Sequence, residues 1–192
     1  MSEARADGLR RGCGNEAIYR ALRARALSLE VHHPDPGERL APLCDLLWDA
    51  LAPNGLSWIG FYLEDPDAPL GGPEREGQMI LAARRDKPAC SPIGLHGVCG
   101  QAFREGSIRL VEDVGLLGAG YIACDPRDRS EIVLPIYRNG RCWGVLDADS
   151  HEVACFGAID VDGLSGVLRA SGLLDRDPLM RADRLHAAQG SL

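Results

Sequence analysis

Apolar residues recur at helical spacing in two segments near the start of the chain. The first helix is predicted over residues 15–30, with Asn15 as its cap, and the second over residues 38–51. The apolar face of the first helix consists of Ile18, Leu22 and Leu29. The apolar stripe of the second consists of Leu40, Leu43, Leu47 and Leu51. The prolines and the glycine within residues 32–37 separate the two helices.

The pattern then changes from helical spacing to alternation. Residues 56–63 form a predicted strand in which Ile59, Phe61 and Leu63 face one side and Trp58, Gly60 and Tyr62 face the other. Further short strands are predicted at 78–83 and 108–111, with a short helix between them at 98–105. Residues 112–130 show little periodicity, and a long irregular segment in a compact domain usually serves function.

A hairpin over residues 131–149 and a helix over 160–173 complete the pattern. Helices, strands and a final helix in this order indicate an α+β fold with a central antiparallel sheet flanked by helices. We expect one domain over residues 15–175. Residues 1–14 are predicted to be a flexible tail, and residues 176–192 a C-terminal tail or short helix.

The register of the hairpin decides which side chains share a face. Asn139 and Gly140 favour a two-residue turn, which would pair Glu131 with Ala148 and mix charged and apolar side chains on both faces. A three-residue loop over 138–140 pairs Glu131 with Asp147 instead. One face then becomes apolar, from Ile132 to Ala148. Burying carboxylates costs several kcal/mol each, so we expect the three-residue loop.

This choice places three carboxyl groups, those of Glu131, Asp147 and Asp149, at one end of one sheet face, with Tyr137 and Trp143 at the other end. Like charges at short range raise the pKa of at least one member. A solvated acidic patch at a sheet edge is the alternative interpretation.

Composition narrows the functional classes. The 192 residues are 45% apolar, which suits one domain with its own core. A net charge of −7 argues against nucleic-acid binding, which needs a basic surface. The apolar runs are too short for a membrane helix and no secretory signal is visible, so we expect a cytoplasmic protein.

The chain has seven cysteines, an odd number that excludes a complete disulfide framework. They form no Cys-x-x-Cys pair, and the five histidines show no ligand spacing, so we expect no metal site. Free thiols therefore remain, some structural and some reactive.

Six short motifs together resemble one family. They are Trp58-Ile59-Gly60-Phe61-Tyr62-Leu63, Lys87-Pro88-Ala89-Cys90, Gly97-Val98-Cys99-Gly100, Ile122-Ala123-Cys124-Asp125, Ser130-Glu131-Ile132-Val133 and Gly144-Val145-Leu146-Asp147-Ala148-Asp149. Over residues 38–173 this series resembles the free methionine-(R)-sulfoxide reductases, which are built on a GAF domain. Three cysteines in this order, followed by Ser-Glu-Ile-Val and Asp-x-Asp, make the resemblance specific.

The resemblance implies a six-stranded antiparallel sheet with a small pocket, and reduction of free methionine sulfoxide without a metal or an organic cofactor. It identifies Cys124 as the nucleophile, Cys90 as the resolving cysteine and Cys99 as an auxiliary thiol. Glu131, Asp147 and Asp149 match the family's pocket carboxylates. Its aromatic wall is matched by Trp58 and Tyr62.

The chemistry of sulfoxide reduction suits these residue types. A thiolate attacks sulfur, leaving a sulfenic acid that a second thiol converts to a disulfide. We expect Glu131 to be the acid, Asp147 and Asp149 to accept the substrate's α-ammonium, and the two aromatic rings to hold the methylthio group. The resemblance also implies a thioredoxin-like dithiol reductant and allows for a homodimer.

Two questions stay open at this point. The loop between Cys90 and Cys99 is one residue shorter than the family pattern, so either of these two cysteines could resolve the sulfenic acid. The competing interpretation is a GAF domain that binds an amino acid or another small molecule without catalysis. A third interpretation is a thiol peroxide or redox sensor. The three ordered cysteines favour the enzyme, because a binding module has no need of them.

Overall fold

Four α-helices occur in the computed structural model, which describes residues 12–67, 77–118 and 124–180. They are α1 (Glu16–His32), α2 (Pro36–Leu51), α3 (Val98–Glu105) and α4 (Ala158–Ala170). Short 3-10 helices follow α2 at Ala52–Asn54 and lie within the irregular segment at Val114–Leu116. All four α-helices were predicted, with ends that differ by up to three residues. No helix of the described residues combines the length and the apolar character that a membrane crossing needs.

Side-chain caps explain where the first two helices begin. The Asn15 side chain accepts a hydrogen bond from the backbone N–H of Ile18 at 3.0 Å, as the sequence predicts. Asp35 caps α2 by accepting from Gly37 N at 2.9 Å, and Pro36 takes the first helical position. Helix α2 therefore begins two residues before its predicted start.

Within the described part of the chain, seven strands form one sheet. They are β1 (Leu56–Glu64), β2 (Gln78–Arg85), β3 (Ile93–Gly94), β4 (Ser107–Val111), β5 (Ser130–Arg138), β6 (Arg141–Ser150) and β7 (Leu179–Met180). Their order is β3-β2-β1-β6-β5-β4-β7; the first six pair antiparallel and β7 adds a parallel edge to β4. The predicted α+β class with a central antiparallel sheet is confirmed. Strands β3 and β7 have two residues each, too few for any periodic pattern.

The sheet divides the apolar core into two clusters. The larger cluster joins one face of the sheet to α1, α2 and α4 and contains Ile59 and Phe61 of β1. The smaller cluster contains α3 residues together with Trp58 and Tyr62 of β1. The predicted alternation along β1 is therefore confirmed. The alternation places the two aromatic rings on the face of the sheet that packs against α3, opposite the face covered by α1, α2 and α4. A pocket can form on that face.

The hairpin register differs from the prediction. The turn is the two-residue Asn139-Gly140 turn, with φ of 53° and 72°, and Arg138 pairs with Arg141. Farther along, Glu131 lies opposite Asp149 rather than Asp147. The three-residue loop is therefore wrong, and so is the pairing built on it.

A β-bulge explains why the predicted faces nevertheless hold for the carboxylates. Ile136 pairs with Gly144 but Tyr137 pairs with Cys142, so Trp143 is the extra residue. The observed register is two residues away from the predicted one, and an even shift keeps side chains on the same face. Tyr137 and Trp143 were expected on the carboxylate face, but both pack with the larger cluster.

Most of both predicted tails lies outside the described residues. Residues 12–14 are described, and the backbone N–H groups of Cys13 and Gly14 donate to the Asp160 carboxylate at 3.2 and 2.8 Å. At the other end, Leu179 pairs with Ser107 through β7. The domain boundaries at 15 and 175 remain predictions.

Candidate active site

A cavity of about 300 Å³ lies on the face of the sheet that carries Trp58 and Tyr62. All eight residues that the sequence analysis selected line it: Trp58, Tyr62, Cys90, Cys99, Cys124, Glu131, Asp147 and Asp149. They come from β1, β5, β6, α3 and two loops, so only the folded chain assembles them. The volume lies at the small end of the range for small-molecule sites.

The two aromatic residues form one wall and also hold a loop. Their ring centroids are 6.1 Å apart. Gly60 lies between them on the same face, and a Cβ there would come within 2.4 Å of the Trp58 ring, so only glycine leaves space for that ring. Trp58 Nε1 donates to Lys87 O at 2.9 Å, and the Tyr62 hydroxyl donates to Cys90 O at 2.8 Å. The wall therefore anchors the backbone that carries Cys90.

The three carboxyl groups lie side by side across the central strands. Asp149 faces Glu131 on β5 and Trp58 on β1, while Asp147 faces Val133 and Gly60. Only 5% of Glu131 and 7% of Asp147 is exposed. Burial, and then the neighbouring carboxylate of Asp149, raises the pKa of Asp147 well above its usual range. Burial, and then Glu131, does the same for the pKa of Asp149. The cluster therefore holds protons at a pH where isolated carboxyls are ionised.

Asp147 has one satisfied and one unsatisfied oxygen. Its Oδ2 accepts a hydrogen bond from Cys99 Sγ at 3.2 Å. Its Oδ1 is buried and has no hydrogen-bond partner among the residues that the structure describes. A buried acceptor without a donor costs about 1–3 kcal/mol, so this cavity favours a ligand that brings an N–H donor.

The thiols separate into a pair and a single buried group. The Cys124 thiol shares a hydrogen bond with the Cys90 side chain, and both residues reach the surface. Partial burial, and then this hydrogen bond, raises the pKa of Cys124 to about 12. Cys99 is buried against the carboxyl groups, and that burial raises the pKa of its thiol well above the usual value. The shortened loop therefore does not pull Cys90 away from Cys124.

A charged network that was not predicted from the sequence lies beside the two thiols. Lys87 forms an ion pair with Asp125, which also binds Arg127 at 2.8 Å. His151 Nε2 lies 3.4 Å from Asp125 and 3.7 Å from Asp128. Hydrogen bonds from Arg127, and then from Lys87, hold the pKa of Asp125 well below its usual range. One signal was available, since Lys87 is the only lysine in the chain and lies in the Cys90 motif.

Two groups of side chains in the described residues place potential metal ligands within 4.8 Å of one another. One consists of Cys99, Glu131 and Asp147, and the other of Asp125, Asp128 and His151. In the first, Cys99 Sγ already donates a hydrogen bond to Asp147 Oδ2 at 3.2 Å, so these two ligand atoms bind each other. In the second, Lys87 and Arg127 already neutralise Asp125. Neither donor set calls for a metal.

Comparisons with known proteins identify the family of this chain. The family model for the GAF domain matches residues 35–170. Protein YtsP of Bacillus subtilis is 41% identical over 147 residues, covering 76% of this chain and 83% of that protein. The free methionine-R-sulfoxide reductase of Escherichia coli is 36% identical over 127 residues, covering 65% and 68%.

A solved structure extends the match to three dimensions. The free methionine-R-sulfoxide reductase of Neisseria meningitidis, solved with its substrate, superposes with a TM-score of 0.70 at 32% identity, covering 84% of this chain and 91% of that one. The chain therefore belongs to the GAF domain family and, within it, to the family of the free methionine-R-sulfoxide reductases.

Proposed function

We propose that this protein reduces free L-methionine (R)-sulfoxide to L-methionine, with Cys124 as the nucleophile and Cys90 as the resolving thiol. One observation carries the proposal: Cys124 and Cys90 line the same cavity as three carboxyl groups, and Cys90 is the neighbouring side chain that most affects the pKa of Cys124. The names of the Escherichia coli and Neisseria meningitidis relatives support the same substrate.

The redox chemistry balances with these two thiols. Cys124 attacks the sulfoxide sulfur, and the oxygen passes to the Cys124 sulfur as a sulfenic acid while methionine leaves. The Cys90 thiol then attacks that sulfenic sulfur, a disulfide forms and water is released. The raised pKa of Cys124 keeps the free enzyme in its thiol form, so the nucleophile is generated only as its proton is transferred.

The carboxyl cluster has two tasks in this scheme. The sulfoxide oxygen needs a proton, and Glu131 with its cross-strand neighbour Asp149 supplies it, because the raised pKa of Asp149 keeps a proton in this pair. The substrate's α-ammonium binds the Asp147 Oδ1 atom that lacks a partner among the described residues, together with Asp149. Trp58 and Tyr62 contact the methylthio group.

A dithiol reductant must return the disulfide to two thiols. Cys90 and Cys124 both reach the surface, which gives a thioredoxin-like protein access to them. We place this cycle in the cytoplasm, where such reductants keep thiols reduced. The protein needs no metal or organic cofactor for it.

The deciding experiment supplies each epimer of free methionine sulfoxide with dithiothreitol and measures methionine. The (R) epimer is expected to be consumed with multiple turnovers and the (S) epimer to remain. Cys124→Ser serves as the control for non-enzymatic reduction. Saturable binding of the (R) epimer without methionine formation would overturn the proposal and favour a GAF module that binds an amino acid.

A further inference from the structure

A second pair of cysteines lies outside the cavity. Cys13 precedes α1 and Cys155 lies between β6 and α4, and each thiol is the group that shifts the other's pKa most. The two residues are 2% and 7% exposed, and neither lines the cavity. The family motifs of the sequence do not include either one.

The surroundings place both sulfurs beside the segment that ends α2. Cys13 Sγ lies 3.6 Å from the backbone oxygen of Leu51, the last residue of α2. Cys155 Sγ lies 3.9 Å from the backbone oxygen of Asn54, at the end of the 3-10 helix that follows. Gly55 leaves the space that Cys155 needs, since a Cβ there would lie 3.1 Å from its sulfur. The two side chains thus converge at the end of α2.

The backbone of each cysteine is fixed as well. Cys13 N donates to Asp160 Oδ2 at 3.2 Å, and Asp160 is fully buried at the start of α4. Cys155 N donates to Ser130 Oγ at 3.3 Å. The backbone beside each sulfur is therefore held in place, and formation of an S–S bond falls to the two side chains.

We propose that Cys13 and Cys155 are a second redox site, which hydrogen peroxide converts to a disulfide. The Cys155 sulfur attacks one peroxide oxygen, which gives Cys155 sulfenic acid and one water. The Cys13 sulfur then attacks the sulfenic sulfur, the S–S bond forms and a second water leaves. In sum, two thiols and one peroxide give one disulfide and two waters.

The environment assigns different roles to the two thiols. The hydrogen bond from Cys13 lowers the pKa of Cys155, with a smaller contribution from Ser150. The same hydrogen bond, and then burial, raises the pKa of Cys13. Cys155 is therefore the sulfur that peroxide oxidises first, and Cys13 resolves it.

The disulfide would join the start of the described chain to the loop after β6. The closed loop contains α1 to α3 and β1 to β6, and cross-links that close long loops restrict the unfolded chain most. We expect the oxidised protein to unfold at a temperature roughly 5 °C or more above that of the reduced protein.

Peptide mapping after oxidation tests the site. The variant Cys90→Ser/Cys99→Ser/Cys124→Ser removes the cavity thiols, and Cys142→Ser is added because Cys142 and Cys155 share the tryptic peptide 142–169. After treatment with hydrogen peroxide and digestion without reductant, peptide 12–20 is expected to be joined to peptide 142–169. The unmutated protein is mapped in parallel, with fragmentation spectra to tell Cys142 from Cys155, so the result does not depend on how the variant folds.

Cys44 is the matched control, because it is as buried as Cys13 and should keep its thiol. Adding Cys13→Ser should abolish the cross-link and the rise in unfolding temperature and leave a Cys155 sulfenic acid that dimedone labels. Free Cys13 and Cys155 thiols after peroxide treatment, or Cys155 oxidised to sulfinic acid with Cys13 still free, would each overturn the proposal. The cavity thiols are absent from the variant, so either outcome leaves the proposed reductase activity untouched.

Discussion

The ammonium of Lys87 pairs with the carboxylate of Asp125, and this ion pair connects the two loops that carry the proposed redox cysteines. Lys87 lies three residues before Cys90, and Asp125 directly follows Cys124. The ion pair acts together with the hydrogen bonds from Trp58 and Tyr62 to the loop that carries Cys90. These interactions hold the Cys90 loop beside Cys124.

Lys87→Met is expected to slow the formation of the Cys90–Cys124 disulfide by roughly tenfold to a hundredfold, because loss of the ion pair lets the two loops separate. Methionine release in the first turnover should change much less. Rapid quenching followed by quantification of methionine and free thiols separates the two steps.

Lys87→Arg keeps the charge and should retain most of the rate of disulfide formation. Arg141→Met is the matched control, since it removes an ion pair with Glu64 at the hairpin end, away from the cavity. Equal slowing of both steps in Lys87→Met would mean that Lys87 acts on the chemistry itself rather than on the position of Cys90.

Cys124→Ser is expected to reduce turnover at least roughly a thousandfold, because a hydroxyl is a far weaker nucleophile toward sulfur than a thiolate. Cys142→Ser should keep nearly full activity, since Cys142 lies on the hairpin and does not line the cavity. A coupled assay with a thioredoxin system measures both variants. Wild-type turnover by Cys124→Ser would contradict the assignment of the nucleophile.

Free methionine (R)-sulfoxide is expected to react at least about tenfold more efficiently than its N-acetylated form, because a charge-assisted hydrogen bond to the α-ammonium is worth roughly 1.5–3 kcal/mol. Asp149→Asn should remove much of this preference. The comparison of kcat/KM for the two substrates, in the unmutated protein and in the variant, is the measurement. Equal values in the unmutated protein would refute the role given to the carboxylates.

Asp147→Asn is expected to stabilise the protein at pH 7. The folded-state pKa of Asp147 is raised above the ordinary value of about 4, so its favourable contribution is complete below that pH and is lost as the pH rises through the raised pKa. Asparagine does not titrate, so the variant's advantage should be absent near pH 4 and grow toward pH 7. Thermal unfolding across this range should show a rise in Tm of at least about 2 °C at pH 7.

Asp125→Asn is the control of opposite sign. In the unmutated protein, hydrogen bonds from Arg127 and Lys87 lower the folded-state pKa of Asp125. Asp125 therefore stabilises the fold above its ordinary pKa, and this stabilisation is lost as the pH falls through the lowered folded-state pKa. Asp125→Asn should therefore destabilise at pH 7, with a difference that shrinks in acid. If both variants shift Tm in the same direction at pH 7, the electrostatic explanation fails.

Much of the site was predictable because period-two alternation is a local property. The pattern of β1 alone placed Trp58 and Tyr62 on one face, and the requirement to bury Ile132 and Leu134 placed Glu131 on the same face as Asp147 and Asp149. The wrong turn length did not matter for this, since the bulge at Trp143 restored the parity of the pairing.

The sequence by itself therefore determined the fold class, the cavity-facing side chains and the family, because each depends on short-range pattern or on motifs in order. Only the tertiary structure decided which residues meet across long separations. Lys87 with Asp125, Cys90 with Cys124 and Cys13 with Cys155 are each brought together by loop paths and helix packing, which no local pattern encodes. The pKa shifts belong to the same class, because desolvation and neighbouring charge depend on what the folded chain places around a group.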